Sequence, residues 1–288
     1  MKLDSVTEDM KIPSLVSVEW LSQAILKRTN RTKSLSIVDG TWRINGTSVE
    51  PRKDYIKKHI PGAVFFDIDE CCDKTSKYQQ MLPDEKLFAE YVKHLGISND
   101  SHIITYDYDD DFGMFSSPRV WWMFRYFGHK AISVLNGGFR TWLNAGLPVE
   151  SGQQKPARIN EPYNTKVNPH LLRDYEAMAA NVKSGGKHTV VDTLPSEMMA
   201  GEIPYAGNIP FPEFFKDDNQ ILKDSEELKK VFAKHNVDLN QPLTATCGAG
   251  ITACIMALAA HHCGAKDVSV YDGSWEEWGD RQSCDSVN

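Results

Sequence analysis

The chain has 288 residues, 41% of them hydrophobic and 25% charged, with a formal net charge of −7. Such a composition fits a folded protein of two ordinary domains or one large one, and the acidic balance argues against nucleic acid or an acidic membrane surface as a general partner. No run nears the roughly 18 apolar residues of a membrane helix, and the first dozen residues, with Asp4, Glu8 and Asp9, lack a signal or transit composition. The expected compartment is therefore the cytoplasm, with a mitochondrial location left open.

In chain order, helical periodicity predicts helices over residues 18–27, 84–95 and 118–127, and again over 171–183, 225–235 and 252–263. Short apolar runs between them predict buried strands at 36–39, 60–66 and 103–107, then at 189–192, 203–209 and 243–247. The two series repeat. Residues 36–39 match 189–192, each ending in an aspartate (Asp39, Asp192), and 60–66, 103–107 and 136–142 match 203–209, 243–247 and 272–278 in the same order. Alternating strands and helices imply an α/β fold, so the expectation is two tandem domains, each a mostly parallel sheet flanked by helices. The first spans 13–150 and the second 169–288, joined by a proline-bearing linker over 151–168.

The most informative residue is Cys247, which follows a strand and precedes Gly248, Ala249, Gly250, Ile251 and Thr252 at the start of a helix. The glycines are expected to curl the chain, and backbone N–H groups with the helix dipole to stabilise a thiolate or a bound anion. Thr252 adds a hydroxyl donor or a helix cap. A cysteine at a strand end is otherwise a small buried hydrophobe, which is the reading for Cys254 and Cys263; Cys71 and Cys72 read as structural. No CxxC pair is present, so reduced thiols are expected, with no metal site and no cofactor.

Several strings then carry a resemblance. His59-Ile60-Pro61-Gly62-Ala63, Met81-Leu82-Pro83, Ser117-Pro118-Arg119-Val120-Trp121-Trp122, the Cys247 loop and Tyr271-Asp272-Gly273-Ser274-Trp275 resemble the two-domain rhodanese-like sulfurtransferases, more closely the 3-mercaptopyruvate branch than the thiosulfate branch. The resemblance implies two rhodanese-like domains packed face to face, with the catalytic cysteine only in the second. Asp107 stands at the matching place of the first. It also implies double displacement: Cys247 takes a sulfane sulfur from a small donor and passes it from a persulfide to cyanide or a thiol acceptor such as a thioredoxin-like protein.

Two departures bear on the donor. The thiosulfate branch carries basic side chains directly after the cysteine, whereas Gly248 and Ala249 stand here; the mercaptopyruvate branch carries a serine where Ala249 stands and two arginines in a segment that is here shortened to residues 192–204 and has no arginine. Loss of a bidentate arginine clamp is worth on the order of 2–4 kcal/mol in binding. Mercaptopyruvate remains the expected donor, and a divergent binding or sulfur-carrier protein with little turnover is the alternative. A cysteine-dependent phosphatase needs an arginine where Ala253 stands.

Substrate-binding candidates are Gly248, Ala249, Gly250, Ile251 and Thr252, with Trp275 as a pocket wall, His59 as a proton carrier near the domain interface, and Arg119 as a replacement for the missing arginines. Each has a plainer reading. His59 can simply bond backbone, Arg119 and Arg125 can form interface ion pairs, and Asp107, Asp109, Asp110 and Asp111 can form a solvated acidic loop.

Overall fold

The duplication reappears as two five-stranded parallel sheets with one strand order between them. The computed structural model describes residues 12–27, 35–44, 50–155, 161–218 and 220–285. The first half runs β1 (Leu15–Val16), α1 (Val18–Leu26), β2 (Leu35–Asp39), α2 (Pro51–Lys57), β3 (Ala63–Phe65), α3 (Glu85–His94), β4 (His102–Tyr106), α4 (Ser117–Tyr126), β5 (Ile132–Leu135) and α5 (Gly138–Asn144). The second half runs β6 (Leu172–Arg173), α6 (Tyr175–Lys183), β7 (Thr189–Asp192), β8 (Gly207–Asn208), α7 (Ser225–Lys234), β9 (Leu243–Thr246), α8 (Ala253–His262), β10 (Val268–Tyr271) and α9 (Ser274–Asp285). The sheet orders are β1-β5-β4-β2-β3 and β6-β10-β9-β7-β8, the same permutation twice.

Burial explains the layering. The central strands β4 and β9 are Ile- and Thr-rich and are covered on both faces, as parallel strands require. Helix α8 is apolar all round and buried from Ala253 to Ala260, and α4 is buried from Ser117 to Phe124; such helices belong in a core, not on a surface. They pack together between the sheets, and a single apolar cluster runs from Val38 and Phe124 in the first half to Ile255 and Leu258 in the second. Separate clusters cover the outer faces, around Tyr55 and Trp142 on one side and Met178 and Trp278 on the other.

The structure corrects some expected boundaries. The helix expected from 171 begins at Tyr175, because Leu172 and Arg173 pair with Val270 and Tyr271 as an edge strand and Asp174 caps the helix through the Ala177 amide. Periodicity does not foresee α2, α5 and α9, which are short or amphipathic over few turns. The described ends of the linker are held by backbone bonds. Glu150 pairs with His59 as an isolated antiparallel bridge, and Lys166 and Asn168 donate their amides to the carbonyls of Phe127 and Tyr126.

The repeated aspartates are buried at the ends of β2 and β7, and burial pushes both carboxyls up to about 6. For Asp39, the ionised form is therefore unfavourable in the fold: its stabilising contribution is present below pH about 4 and is lost as pH rises through about 6. Asp39→Asn keeps an acceptor for the Thr41 amide, so it is expected to remove on the order of 1–1.5 kcal/mol of the fall in stability between pH 5 and pH 8. Urea denaturation of both proteins at the two pH values checks this, and an unchanged pH difference refutes it.

Candidate active site

Strand β9 delivers Cys247 to the seam between the halves, where its side chain is buried, with 2% exposure. The residues after it make a tight loop before α8. Gly250 has φ +74°, and a Cβ there would lie 2.6 Å from the Asp272 carbonyl oxygen and 3.1 Å from Nη1 of Arg119, so glycine is required. Gly248 is different. Its φ is not positive and a Cβ would meet only Leu194 Cδ1 at 3.6 Å, so the sequence expectation of a needed glycine holds at 250 and not at 248.

The amides of Gly248, Ala249, Gly250, Ile251 and Thr252 donate to no acceptor among the described residues. Thr252 does not cap α8; its Oγ1 lies 3.0 Å from Oγ1 of Thr193. Around the sulfur, Ser274 Oγ accepts from the Cys247 amide at 3.2 Å, donates to the Tyr271 carbonyl at 2.8 Å and lies 3.9 Å from Cys247 Sγ. Its single proton serves the nearer carbonyl in this geometry. Ser274 is fully buried at φ +49°, a conformation that non-glycine residues adopt only where the surroundings impose it. Sequence reasoning quoted Ser274 inside a motif but gave it no role.

The first half contains an informative counterpart. Asp107 follows β4 as Cys247 follows β9, and it is not in a solvated loop: it is buried, and its Oδ2 accepts the amides of Phe115 at 2.7 Å, Ser117 at 2.7 Å and also Ser116. A carboxylate thus occupies the amide nest at the start of α4. Of the other loop acids, Asp109 pairs with Arg43 at 2.9 Å.

Arg119 reaches across the seam. It is fully buried, bonds Asp272 Oδ1 at 2.5 Å and the Gly250 carbonyl at 3.3 Å through Nη1, and bonds the Gln80 carbonyl through Nη2, with its guanidinium over the Trp122 ring. Asp272 Oδ2 also accepts the Leu82 amide at 2.8 Å. With Nη1 and Nη2 bonded, Nε without a partner among the described residues and the side chain fully buried, Arg119 ties the loop after Cys247 to the first half. His59 is not at the seam between the halves: it is fully buried, stacks on Tyr55 and bonds the Tyr55 carbonyl within the first half and Gln154 at the start of the linker. Trp275 donates its amide to the Cys247 carbonyl at 2.9 Å, and its ring lies against Gly201, where a Cβ would come within 2.3 Å.

The segment after Asp192 flanks the loop, with Leu194 Cδ1 3.6 Å from where a Cβ on Gly248 would lie. Asn208 Nδ2 pins the carbonyls of Asp192 and Leu194, and the segment turns through Ser196–Met198 to expose Met198 and Tyr205. Its charged side chains are the acids Asp192, Glu197 and Glu202, and Glu202 adds to the burial that raises Asp192.

Among known proteins, the rhodanese-like domain family matches residues 21–145 and 174–281. Thiosulfate sulfurtransferase of Mus musculus is 47% identical over 281 residues, covering 92% of this chain and 91% of the relative. 3-Mercaptopyruvate sulfurtransferase of Mus musculus is 42% identical over 274 residues, with coverage of 92% and 91%. Of solved structures, that of SseA from Escherichia coli, described as a 3-mercaptopyruvate sulfotransferase, superposes with TM-score 0.80 at 31% identity, over 91% of this chain and 99% of its own.

Proposed function

This chain belongs to the rhodanese-like sulfurtransferases, and from that premise we propose that Cys247 is the nucleophile that accepts and hands on a sulfane sulfur. The observation that carries this reading is the contrast between the halves. In the first, the nest at the helix start is filled by the Asp107 carboxylate; in the second, the amides of 248–252, which follow the Cys247 sulfur in the chain, donate to no acceptor among the described residues. A nest that holds one anion suits a thiolate, and a persulfide after it.

In the first step the Cys247 thiolate attacks the sulfane sulfur of the donor. An S–S bond forms, and the donor's bond to that sulfur breaks with its electron pair leaving on carbon in mercaptopyruvate, which takes a proton to become pyruvate, or on sulfite in thiosulfate. In the second step cyanide or a thiolate attacks the outer sulfur, and the electron pair of the S–S bond returns to Cys247. Ser274, 3.9 Å from Sγ, is the hydroxyl placed to turn toward the sulfur when it carries charge.

The donor we favour is 3-mercaptopyruvate, because thiosulfate is a dianion and nothing basic follows Cys247. The higher identity to thiosulfate sulfurtransferase favours thiosulfate as the second reading, but donor choice rests on the few side chains at the mouth. Gly248→Arg with Ala249→Lys places positive charge directly after Cys247, with room for a side chain at position 248, and is expected to raise kcat/KM for thiosulfate roughly tenfold relative to mercaptopyruvate. An unchanged ratio in steady-state cyanolysis refutes the loop-charge argument. The proposed acceptor is a small thiol or a thioredoxin-like protein, which the exposed Met198 and Tyr205 beside the segment suit. The free thiols of Cys71, Cys72, Cys254 and Cys263 suit a reducing compartment such as the cytoplasm. No helix among the described residues is long and apolar enough to cross a membrane.

A further inference from the structure

A cavity of about 510 Å³ lies where the C-terminal ends of α4 and α8 meet the linker, and none of its lining residues belongs to the Cys247 loop. Among the described residues its walls carry Arg125, Lys130 and Lys166 and no acidic side chain, in a chain whose net charge is −7. Arg43, Arg52, Arg119 and Arg281 each hold a carboxylate. Arg125 holds none. Among the described residues its guanidinium makes no ion pair or hydrogen bond, and its neighbour is the face of Trp121, 4.5 Å from the ring centre. The expected interface ion pair of Arg125 is therefore absent there, and burial without a counter-charge pushes the guanidinium down to about 10. Donors half removed from water and lacking an acceptor are unfavourable unless a ligand supplies one.

The internal duplication sharpens the point. Counted from the helix starts at Ser117 and Ala253, Arg125 and His261 occupy equivalent positions on α4 and α8, and both flank Trp121 at the cavity. The remaining wall is partly apolar, with Ile132, Val167 and Leu171. A volume of this size suits a small organic ligand rather than a bare ion.

We propose that this cavity is a second ligand site, separate from Cys247, for a phosphate monoester with an apolar body. Arg125, Lys130 and Lys166 take the dianion, and Ile132, Val167 and Leu171 take the body. The arrangement uses the planar donor fork of arginine, which matches phosphate oxygens two at a time.

Calorimetric titration of the full chain with phenyl phosphate tests the site. Saturable binding is expected, tighter than that of inorganic phosphate and of benzoate, unchanged in Cys247→Ser and at least about tenfold weaker in Arg125→Gln. Lys166 is exposed, so Lys166→Gln leaves the packing intact and is expected to weaken binding at least about threefold should Arg125→Gln fail to fold. Absence of saturable binding by phenyl phosphate, or equal affinity in the folded charge variants, overturns the proposal; inorganic phosphate or benzoate binding as tightly as phenyl phosphate overturns the assignment of the ligand class.

Discussion

Replacing Cys247 with serine is expected to lower sulfur transfer to cyanide by at least about a thousandfold, with either donor. The substitution is close to isosteric, and the amide contact to Ser274 and the buried position of residue 247 need not change. What changes is the atom. A serine hydroxyl is far harder to ionise than a thiol and cannot hold sulfur as a stable, transferable persulfide, so the loss falls on chemistry rather than folding. Two measurements check this together. Incubation with donor should add one sulfur atom, about 32 Da, to the wild-type chain, removable by reductant, and nothing to the variant; thermal unfolding of the two should coincide within a few degrees. Full-rate transfer by the serine variant would assign the chemistry elsewhere, and an unmodified wild-type chain with both donors would favour a binding protein over a working transferase.

The second large effect concerns the seam. Arg119→Met should destabilise the chain by roughly 3–5 kcal/mol, because it strands a buried carboxylate. Asp272 would keep the Leu82 amide but lose its cation, while the Gly250 and Gln80 carbonyls would lose their shared donor. Since Gly250 sits in the loop that follows Cys247, transfer should also fall under conditions where the variant remains folded. Arg119 is a positioning residue, so the double variant with Asp272→Asn should recover part of the stability by removing the stranded charge. Denaturant unfolding of the wild type, both single variants and the double variant gives the coupling directly. Additive effects, or a loss below about 1 kcal/mol for Arg119→Met, would show that the ion pair does not hold the halves together.

How legible the site was depended on whether its parts are local. The strand, turn and helix around Cys247 are contiguous, so residue types alone pointed to the nest. The duplication was also visible in short strings ending in Asp39 and Asp192. Asp107 was assigned correctly as the counterpart of Cys247 but misread as part of a solvated loop, because the three amides that bury it lie eight to ten residues further on and depend on how that loop folds back. Ser274 carried no signal of its own beyond its motif. Its relevance comes from a left-handed backbone that directs its hydroxyl at Tyr271 and Cys247.

The sequence by itself determined the class of fold and the tandem repeat, and it singled out the strand–turn–helix that carries Cys247, since these follow from periodicity, strand-ending residues and a glycine-rich turn, all set by neighbours in the chain. Only the tertiary structure decided the fates of His59, Arg119 and Arg125. One histidine is locked inside the first half, one arginine is consumed by an acid 153 positions away, and one faces a cavity with no counter-charge among the described residues. The physical reason is that a charged side chain's role is set by what surrounds it on every side, and most of that surrounding comes from segments distant in sequence.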